Sequence, residues 1–469
     1  MSAEHYDLCV IGAGPAGEKG AAQAAYFDKR VLVIERESEP GGAAVHTGTL
    51  PSKTLRESAL YLSGYRARDL YGIAVELDSR ATIPRLMSRK NAIAQAESRT
   101  IRQNFERHRV NYVRGQGRFV DPHTVSITNS EGSREVTADY FLIATGSKPH
   151  RPADIDFSDN WIHDSDEILL INDMPTSMTI LGGGVIGCEY ACMFAALGVG
   201  ITLVDARPEI LPFLDAEIVQ RLKAAMLRMK IKLVQGQRWG KVVRSATGVS
   251  TALSDGSTLE SEQLLFAAGR VGNTADLGLE NVGLAPDSRG YLPVDDKFRT
   301  KQPHILGAGD VIGFPALASV SMEQGRVAVC HAFGFTYKQN VAKTMPYGIY
   351  TIPEVSSFGE TEESCKEKKI DYVVGSALYE NNPRGKITGD LEGVTKLVVE
   401  KKTRKLLGVH VIGERASELV HIGQAVIHCG GTCDVFIDMV FNYPTLADSY
   451  KYAAYECLNA LSKSPPSGD

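Results

Sequence analysis

A Gly-x-Gly-x-x-Gly turn occurs twice in the 469-residue chain, each time between an apolar run and a segment rich in small residues. The apolar runs read YDLCVIG and SMTILGG, and a second run, VLVIE or ITLVD, follows each turn. The second run ends on Glu35 or Asp205, 23 residues after the first glycine in both copies. The glycines are Gly12, Gly14 and Gly17 in the first copy and Gly182, Gly184 and Gly187 in the second. This repetition predicts two related β-α-β units.

Such a turn suits the pyrophosphate of a dinucleotide. Its first glycine permits the bend, its second lets the backbone approach the phosphates, and its third lets the helix pack on the strand. The helix start offers free N–H groups and a positive dipole end, and a carboxylate at the position of Glu35 or Asp205 can accept hydrogen bonds from the adenosine ribose. A single copy could be an ordinary strand–helix turn. Two complete copies indicate one bound and one exchangeable dinucleotide, and therefore hydride transfer between them.

The rest of the chain predicts the domain organisation. Each copy continues into a turn-rich β region and a strand that ends in glycine, at Gly146 or Gly269, and the first copy has an extra helical stretch from Lys53 to His108. We predict an α/β fold with two Rossmann-like dinucleotide-binding domains and a C-terminal α+β domain. The predicted segments are a first domain over 1–150, a second over 151–270, a return to the first over 271–344, and the C-terminal domain over 345–469.

Charge and hydropathy argue against other classes of protein. The chain has 51 Lys and Arg against 56 Asp and Glu, a net charge of -5, and no basic block, so we expect neither nucleic acid nor a membrane surface as partner. Its longest uncharged stretches, such as Tyr190–Val204, are shorter than the roughly 18 residues of a membrane helix. The N-terminus has no signal-peptide pattern, and we expect a cytoplasmic protein. None of the 8 cysteines forms a C-x-x-C motif of a zinc or thioredoxin-type site.

The chain resembles the flavoprotein pyridine nucleotide-disulfide oxidoreductases over nearly its whole length. Both glycine turns carry the resemblance, with PSK ending at Lys53, ATG ending at Gly146, Glu189 after the second turn, and GAGD ending at Asp310. The resemblance implies non-covalent FAD at the first site, exchangeable NAD(P)H at the second, and a homodimer formed by the C-terminal domain, and a larger homo-oligomer is the alternative that the sequence leaves open. The candidate residues are Gly12, Gly14, Gly17, Glu35, Lys53, Thr145, Gly146 and Asp310 for FAD, and Gly182, Gly184, Gly187, Asp205, Arg207 and Gly269 for NAD(P).

Lys53 and Glu189 resemble the ion pair that this family has at the reactive edge of the flavin. A lysine there stabilises negative charge on the isoalloxazine, and the glutamate holds the lysine in place. The alternative is that Lys53 is a surface lysine at a helix start. A cation is unfavourable at that positive end of the helix dipole, so we expect the flavin-tuning role.

The redox thiols of the family are missing. Its disulfide reductases have two cysteines, separated by four residues, before PSK, where this chain has Ala44 and Thr49. The family's C-terminal catalytic histidine is replaced by Tyr443, and the glutamate that follows it by Asp448. A phenol with a pKa of about 10 is a poor general base at neutral pH. Disulfide reduction by the family's usual route is therefore excluded.

Several segments are similar to one branch of the family, the soluble pyridine nucleotide transhydrogenases, among them GTLPSK, IHDSD, DVIGFPALAS and FNYPT. That branch usually keeps the first cysteine, where this chain has Ala44. We predict an enzyme that passes hydride from NADPH to the flavin and, after the oxidised nucleotide leaves, from the flavin to NAD+ at the same site. The alternatives are an NAD(P)H:quinone reductase of diaphorase type and a non-catalytic flavoprotein component.

Two side chains carry further expectations. Asp205 favours the free ribose of NAD(H), whereas Arg207 can pair with the 2′-phosphate of NADP(H) or can be a solvated loop arginine. We therefore expect the enzyme to use both nucleotides. In the family, the position of Tyr443 comes from the partner subunit and faces the flavin opposite the nicotinamide. We expect this tyrosine to close that side of the flavin, and the alternative is a packing role without effect on turnover.

Overall fold

The computed structural model describes residues 4–65, 70–72 and 79–463. Its first sheet has the order β3-β2-β1-β6-β5-β4, and β17 also pairs with β6. Strands β1, β2, β3, β6 and β17 are parallel, and β4 and β5 form antiparallel pairs. The strands are β1 (Glu4–Ile11), β2 (Val31–Glu35), β3 (Asn111–Arg114), β4 (Gln116–Asp121), β5 (Thr124–Asn129), β6 (Gly132–Ile143) and β17 (Ile305–Gly307). Because both faces of β2 are buried, its sequence is a continuous apolar run rather than an alternating one.

The second sheet has the parallel order β11-β10-β9-β15-β8 and repeats the strand–turn–helix pattern of the first. Its strands are β8 (Ile162–Asp164), β9 (Ser177–Leu181), β10 (Gly200–Asp205), β11 (Lys232–Gln235) and β15 (Gln263–Phe266). Two small antiparallel sheets accompany it. They consist of β12 (Trp239–Arg244), β13 (Val249–Leu253) and β14 (Thr258–Ser261), and of β7 (Ser147–Pro149) paired with β16 (Arg270–Gly272).

The third sheet is antiparallel throughout, in the order β18-β19-β22-β21-β20. Its strands are β18 (Tyr347–Ile349), β19 (Val355–Gly359), β20 (Tyr372–Leu378), β21 (Val394–Glu400) and β22 (Leu406–Ile412). One hydrophobic core connects this sheet to the second one, since Ile180 of β9, Leu265 of β15, Ile349 of β18 and Val394 of β21 belong to the same buried cluster.

Helices cover the sheets and connect their strands. In the first half of the chain they are α1 (Pro15–Tyr26), α2 (Gly42–His46), α3 (Thr49–Ser63), α4 (Ser79–Arg107), α5 (Val185–Ala196) and α6 (Ala216–Arg228). In the second half they are α7 (Ala318–Phe333), α8 (Glu362–Glu367), α9 (Pro383–Thr388), α10 (Ala416–His428), α11 (Asp434–Asp438) and α12 (Ser449–Lys463). Short 3-10 helices cover Glu167–Leu170, Leu279–Val282, Asp310–Ile312, Tyr379–Asn381 and Leu446–Asp448. Among the described helices, none has the length and apolar character to cross a bilayer.

The predicted α/β fold class is confirmed. Both glycine turns lie between a parallel strand and a helix, as β1 and α1 in the first copy and β9 and α5 in the second. After Gly272 the chain returns to the first sheet through β17, which pairs with the carboxyl end of β6. The domain boundaries over 1–150, 151–270, 271–344 and 345–469 stay a prediction.

Candidate active site

The first glycine turn depends on close backbone contacts. Gly12 has a φ of +104°, and a Cβ on it would lie 2.5 Å from the carbonyl oxygen of Ala144. A Cβ on Gly17 would collide with the carbonyl group of Gly12, so only glycine lets α1 start this close to β1. Gly14 is the N-cap of α1. The first turns of α1 therefore present backbone N–H groups where a pyrophosphate can approach.

Glu35 is held at the end of β2 by the backbone. It is only 7% exposed. Its Oε2 accepts the N–H of Ala13 at 2.8 Å, and its Oε1 accepts the N–H of Glu37 at 2.9 Å. A carboxylate has about four lone-pair sites, so each oxygen keeps capacity for one more donor, such as a ribose hydroxyl.

One cavity of about 1420 Å³ begins at this turn and reaches the second glycine turn, where Val185 and Ile186 line it. Pockets for a single small molecule are usually ~300–1,000 Å³, so this volume suits FAD together with a nicotinamide ring. Eight of the residues predicted from the sequence line it: Gly12, Gly14, Glu35, Lys53, Thr145, Gly146, Glu189 and Asp310. Residues 136 positions apart in the chain are thus brought together, because α3 and α5 pack side by side.

Lys53 and Glu189 form an ion pair on the cavity wall. The Nζ of Lys53 lies 2.7 Å from Oε2 and 3.0 Å from Oε1 of Glu189, and the two side chains are 24% and 8% exposed. The backbone N–H of Tyr350 also donates to Oε1 at 2.9 Å, and the ammonium lies 4.9 Å from the centre of the Tyr350 ring. Glu189 is therefore fixed, and it holds a charged donor at the cavity surface.

A series of polar side-chain contacts on the cavity wall leads from Asp166 to Asp310. The Nη1 of Arg270 lies 3.8 Å from Oδ1 of Asp166, and its Nε donates to Oγ of Ser147 at 2.8 Å. Ser147 in turn donates to Oδ2 of Asp310 at 3.0 Å. Burial raises the pKa of Asp166 to about 6, and nearby Asp164 adds to this, while the positive charge of Arg270 acts in the opposite direction. The cavity therefore contains a carboxyl group that titrates close to neutral pH.

The second glycine turn repeats the contacts of the first. Gly182 has a φ of +113°, and a Cβ on it would lie 2.8 Å from the carbonyl oxygen of Ala267. A Cβ on Gly187 would collide with the carbonyl group of Gly182, and Gly184 is the N-cap of α5. Gly269, with a φ of +112°, lies between β15 and β16.

Asp205 at the end of β10 differs from Glu35, because four donors surround it. Its Oδ2 accepts the N–H of Gly183 at 2.5 Å and Nη2 of Arg207 at 2.7 Å. Its Oδ1 accepts the N–H of Arg207 at 2.7 Å and Nε at 2.9 Å. Burial raises the pKa of Asp205, but the hydrogen bonds from Arg207 and from the backbone outweigh burial and hold it below the ordinary value. Arg207 thus folds onto Asp205, with 48% of its side chain exposed.

Two family models cover most of the chain. The model described as pyridine nucleotide-disulphide oxidoreductase matches residues 6–325, and the one for the dimerisation domain of that family matches residues 345–454. The chain belongs to this family.

Curated relatives in the family resemble the chain over its whole length. The soluble pyridine nucleotide transhydrogenase of Mycobacterium bovis (strain BCG / Pasteur 1173P2) is 45% identical over 459 residues, which are 97% of this chain and 98% of the relative. The protein of the same name from Colwellia psychrerythraea is 40% identical over 460 residues, again 97% and 98%.

Solved structures of the family share the fold. The HOCl-induced flavoprotein disulfide reductase RclA from Escherichia coli superposes with a TM-score of 0.87 at 26% identity, and LpdA from Mycobacterium tuberculosis with 0.88 at 28% identity. Each covers 96% of this chain and 99% of the other. The predicted family, the oxidoreductase class and the use of FAD with NAD(P)H are confirmed.

The positions of the family's thiols also line the cavity. These positions are occupied by Ala44 and Thr49, and His46 and Thr47, which lie between them in the sequence, also line the cavity. The cysteines that the structure describes are all unpaired, and burial raises the pKa of Cys192, on α5, to about 12. None of the described cysteines lines the cavity, so the described part of the chain places no thiolate there.

Tyr443 lies apart from the other candidates. It follows α11 and is 73% exposed, and Asp448 is buried in the short helix behind it. The roles assigned to Tyr443, to the Lys53–Glu189 pair and to the individual cofactor contacts stay predictions.

Several residues of the cavity were missed by reasoning from the sequence. Asp166 lies in the IHDSD segment and Arg270 at a predicted domain boundary, but neither received a role, and Phe213 and Tyr347, whose rings lie 5.3 Å apart on the cavity wall, were not singled out. The one signal for Asp166 was the acidic IHDSD segment. Phe213 begins the segment FLDAEI, which is similar to the transhydrogenase branch, but its pairing with Tyr347 had no signal, because the two residues lie 134 positions apart.

Proposed function

We propose that this enzyme exchanges hydride between NADPH and NAD+, with FAD as the intermediate carrier. One observation carries the proposal. A single cavity joins the first glycine turn, the Lys53–Glu189 pair and Val185 of the second turn, and has Ala44 and Thr49 where a dithiol would stand. Such a cavity can serve two nicotinamides in succession, but the described residues that line it include no thiol to pass electrons to a disulfide. The name of the relatives at 40–45% identity supports the same activity.

The first glycine turn would hold the FAD. The start of α1 after Gly14 provides N–H groups for the pyrophosphate, and Glu35 has spare lone pairs for the adenosine ribose. Asp310 is fixed by Ser147 and by Ser321, whose Oγ lies 3.3 Å from its Oδ1, so it can accept hydrogen bonds from the ribityl chain. Bound there, FAD would supply the hydride acceptor and donor of the reaction.

Lys53 is proposed to stabilise negative charge at the reactive edge of the flavin. Its ammonium is only partly exposed, so its field acts in a medium of lower dielectric than water. Glu189 accepts both from Lys53 and from the backbone of Tyr350, which prevents the lysine from turning away. Neither residue transfers a proton in this scheme.

The second glycine turn would hold the exchangeable nucleotide. The start of α5 after Gly184 would provide N–H groups for the phosphates of this nucleotide, and Val185 and Ile186, which line the cavity, would contact its nicotinamide. Asp205 and Arg207 lie at the ribose end. Arg207 would leave Asp205 to pair with a 2′-phosphate, and a ribose hydroxyl that donates to Asp205 would displace its guanidinium.

The assembly proposed for this enzyme is a homodimer in the cytoplasm. The match of residues 345–454 to a dimerisation domain supports the dimer. Residues 1–150 and 271–344 are assigned to FAD, 151–270 to NAD(P), and 345–469 to dimerisation. The exposed Tyr443 is assigned to the partner's cavity, where it would close the side of the flavin opposite the nicotinamide.

An anaerobic reduction experiment tests the proposal. The purified yellow protein receives one equivalent of NADPH and is then mixed with a nicotinamide analogue, a benzoquinone or lipoamide. We expect the colour to bleach with NADPH and to return with the nicotinamide analogue. If the colour returns only with the quinone, the protein is a quinone reductase. If NADPH does not bleach the protein, it is a non-catalytic flavoprotein component.

A pair of lysine variants tests the proposed role of Lys53. We expect Lys53→Met to slow the bleaching roughly 10²-fold, the usual loss when one charge-stabilising donor is removed. Lys368→Met is the matched control, because Lys368 also pairs with a glutamate, Glu360, but on the surface. Equal rates in the two variants would refute the role of Lys53.

A further inference from the structure

Lys396 of β21 is a buried cation that the proposed reaction does not use. Its side chain is 1% exposed, and its Nζ lies 2.8 Å from Oδ1 of Asp215, 3.2 Å from Oε2 of Glu217 and 2.5 Å from Oε1 of Glu362. We call these four residues the Lys396 cluster. The hydrogen bonds that Lys396 donates to Asp215 and Glu362 outweigh burial and raise its pKa, so the lysine stays charged.

The Lys396 cluster connects two sheets. Lys396 and Glu362 belong to the C-terminal sheet and its helix α8, whereas Asp215 and Glu217 begin α6, which follows β10 of the second sheet. Asp215 is fully buried and is the N-cap of α6, where its side chain accepts the N–H of Glu217 at 3.1 Å. It also faces His410, whose pKa is lowered by burial. Asp215 therefore fixes the point at which the chain enters α6.

The loop 206–214 lies between Asp215 and the ribose end of the nucleotide site. At its start, Asp205 accepts the N–H of Gly183, and further along Leu211 donates to the carbonyl of Gly183 at 3.4 Å. At its end, Phe213 lines the cavity and packs on Tyr347 of β18. The loop is thus attached to the second glycine turn at one end and to the Lys396 cluster at the other.

We propose that Lys396 is a positioning residue for the nicotinamide nucleotide: it fixes Asp215 and thereby places Phe213 against Tyr347 at the cavity wall. The proposal rests on the assignment of the second glycine turn to NAD(P)(H). Without the ammonium, three carboxylates with oxygens within 4.8 Å of one another would face each other unscreened. Their repulsion would move the start of α6, and the loop 206–214 would move with it.

The test compares Lys396→Met with Lys401→Met in the full-length holoenzyme. Lys401 lies just beyond β21 and pairs with Asp371 at 2.8 Å on the surface. We expect Lys396→Met to raise KM and Kd for NADPH roughly tenfold, since small displacements of positioning groups have effects of this size. We expect kcat within about twofold of the wild type, an unchanged FAD content, and wild-type values for Lys401→Met.

A double-mutant cycle with Phe213→Ala separates positioning from a merely structural role. If Lys396 acts through Phe213, Phe213→Ala alone raises KM, and adding Lys396→Met changes KM little further. Additive effects on KM, or a variant that loses stability while KM and Kd stay at wild-type values, would overturn the proposal.

Two further arms keep the test decisive. If Lys396→Met does not fold, Asp215→Asn replaces it, because asparagine keeps the N-cap and removes the charge. A wild-type enzyme without exchange activity would refute the proposed function alone. In that case the Kd for NADPH, measured by nucleotide fluorescence, still decides the role of Lys396.

Discussion

Replacing Asp166 with asparagine is expected to stabilise the enzyme at neutral pH. The pKa of Asp166 is about 6, against 3.8 for an ordinary aspartate, because burial disfavours its charged form. One pKa unit corresponds to about 1.36 kcal/mol, so keeping Asp166 ionised in the folded state costs about 3 kcal/mol. Since its side chain is 29% exposed, solvent screening lowers the expected gain to about 2 kcal/mol.

The sign of the pH dependence follows from the raised pKa. The folded enzyme binds the proton more tightly than the unfolded chain, so the cost is fully present at pH values above about 6. It disappears as the pH falls from about 6 towards about 4, where Asp166 is protonated in both states. The advantage of Asp166→Asn should therefore shrink over that window.

Urea unfolding of the holoenzyme, followed by flavin fluorescence at several pH values, measures this difference. Asp173→Asn serves as the control, because Asp173 is an exposed aspartate in the same part of the chain. We expect Asp166→Asn to unfold at higher urea than the wild type at about pH 7.5 and to keep only about a third of that gain at about pH 4.5. A destabilised variant, or a gain that is equal at both pH values, would refute the reasoning.

The remaining predictions concern the cofactors. Because the described chain has no thiol beside the flavin cavity, an NADPH titration should end at one equivalent per subunit, and a second equivalent or a thiolate charge-transfer band would contradict this. Arg207→Ala should raise KM for NADP(H) roughly tenfold and leave KM for NAD(H) nearly unchanged. The substitution removes the cation that would pair with the 2′-phosphate, and the negative charge of Asp205, no longer paired, would repel that phosphate. Equal losses for both nucleotides in steady-state assays would speak against that role. Tyr443→Ala should raise the reduction of bulky quinones or oxygen and leave nicotinamide exchange nearly intact, and loss of exchange with FAD still bound would show that the tyrosine acts in hydride transfer.

Sequence reasoning succeeded where the determinants are local. Gly12, Gly17 and Glu35 lie within one strand–turn–helix–strand unit, so their spacing alone predicts how they meet. The pairing of Lys53 with Glu189 came from family resemblance, because 136 residues separate them and only the packing of α3 on α5 brings them together.

The remaining features depend on tertiary contacts that no spacing encodes. Burial raises the pKa of Asp166 to about 6, and the burial of a side chain in a loop cannot be read from its neighbours in sequence. Lys396 is buried against Asp215, which lies 181 positions away and follows a strand of a different sheet. The position of Arg207 depends on a choice of rotamer. The sequence left open whether this arginine points inward, and the structure shows it folded on Asp205.

The contrast between Glu35 and Asp205 has a consequence for how long each nucleotide stays. Glu35 accepts one backbone donor on each oxygen, and an arriving ribose can join these bonds without breaking any. The lone pairs of Asp205 are already occupied, so a nucleotide that engages this carboxylate competes with the guanidinium of Arg207, which returns as the nucleotide departs. The free lone pairs of Glu35 suit a cofactor that stays bound, whereas competition from Arg207 at Asp205 suits a nucleotide that must leave. In a reaction that must empty and refill one site in every cycle, we expect that competition to shorten the time for which each nucleotide is bound.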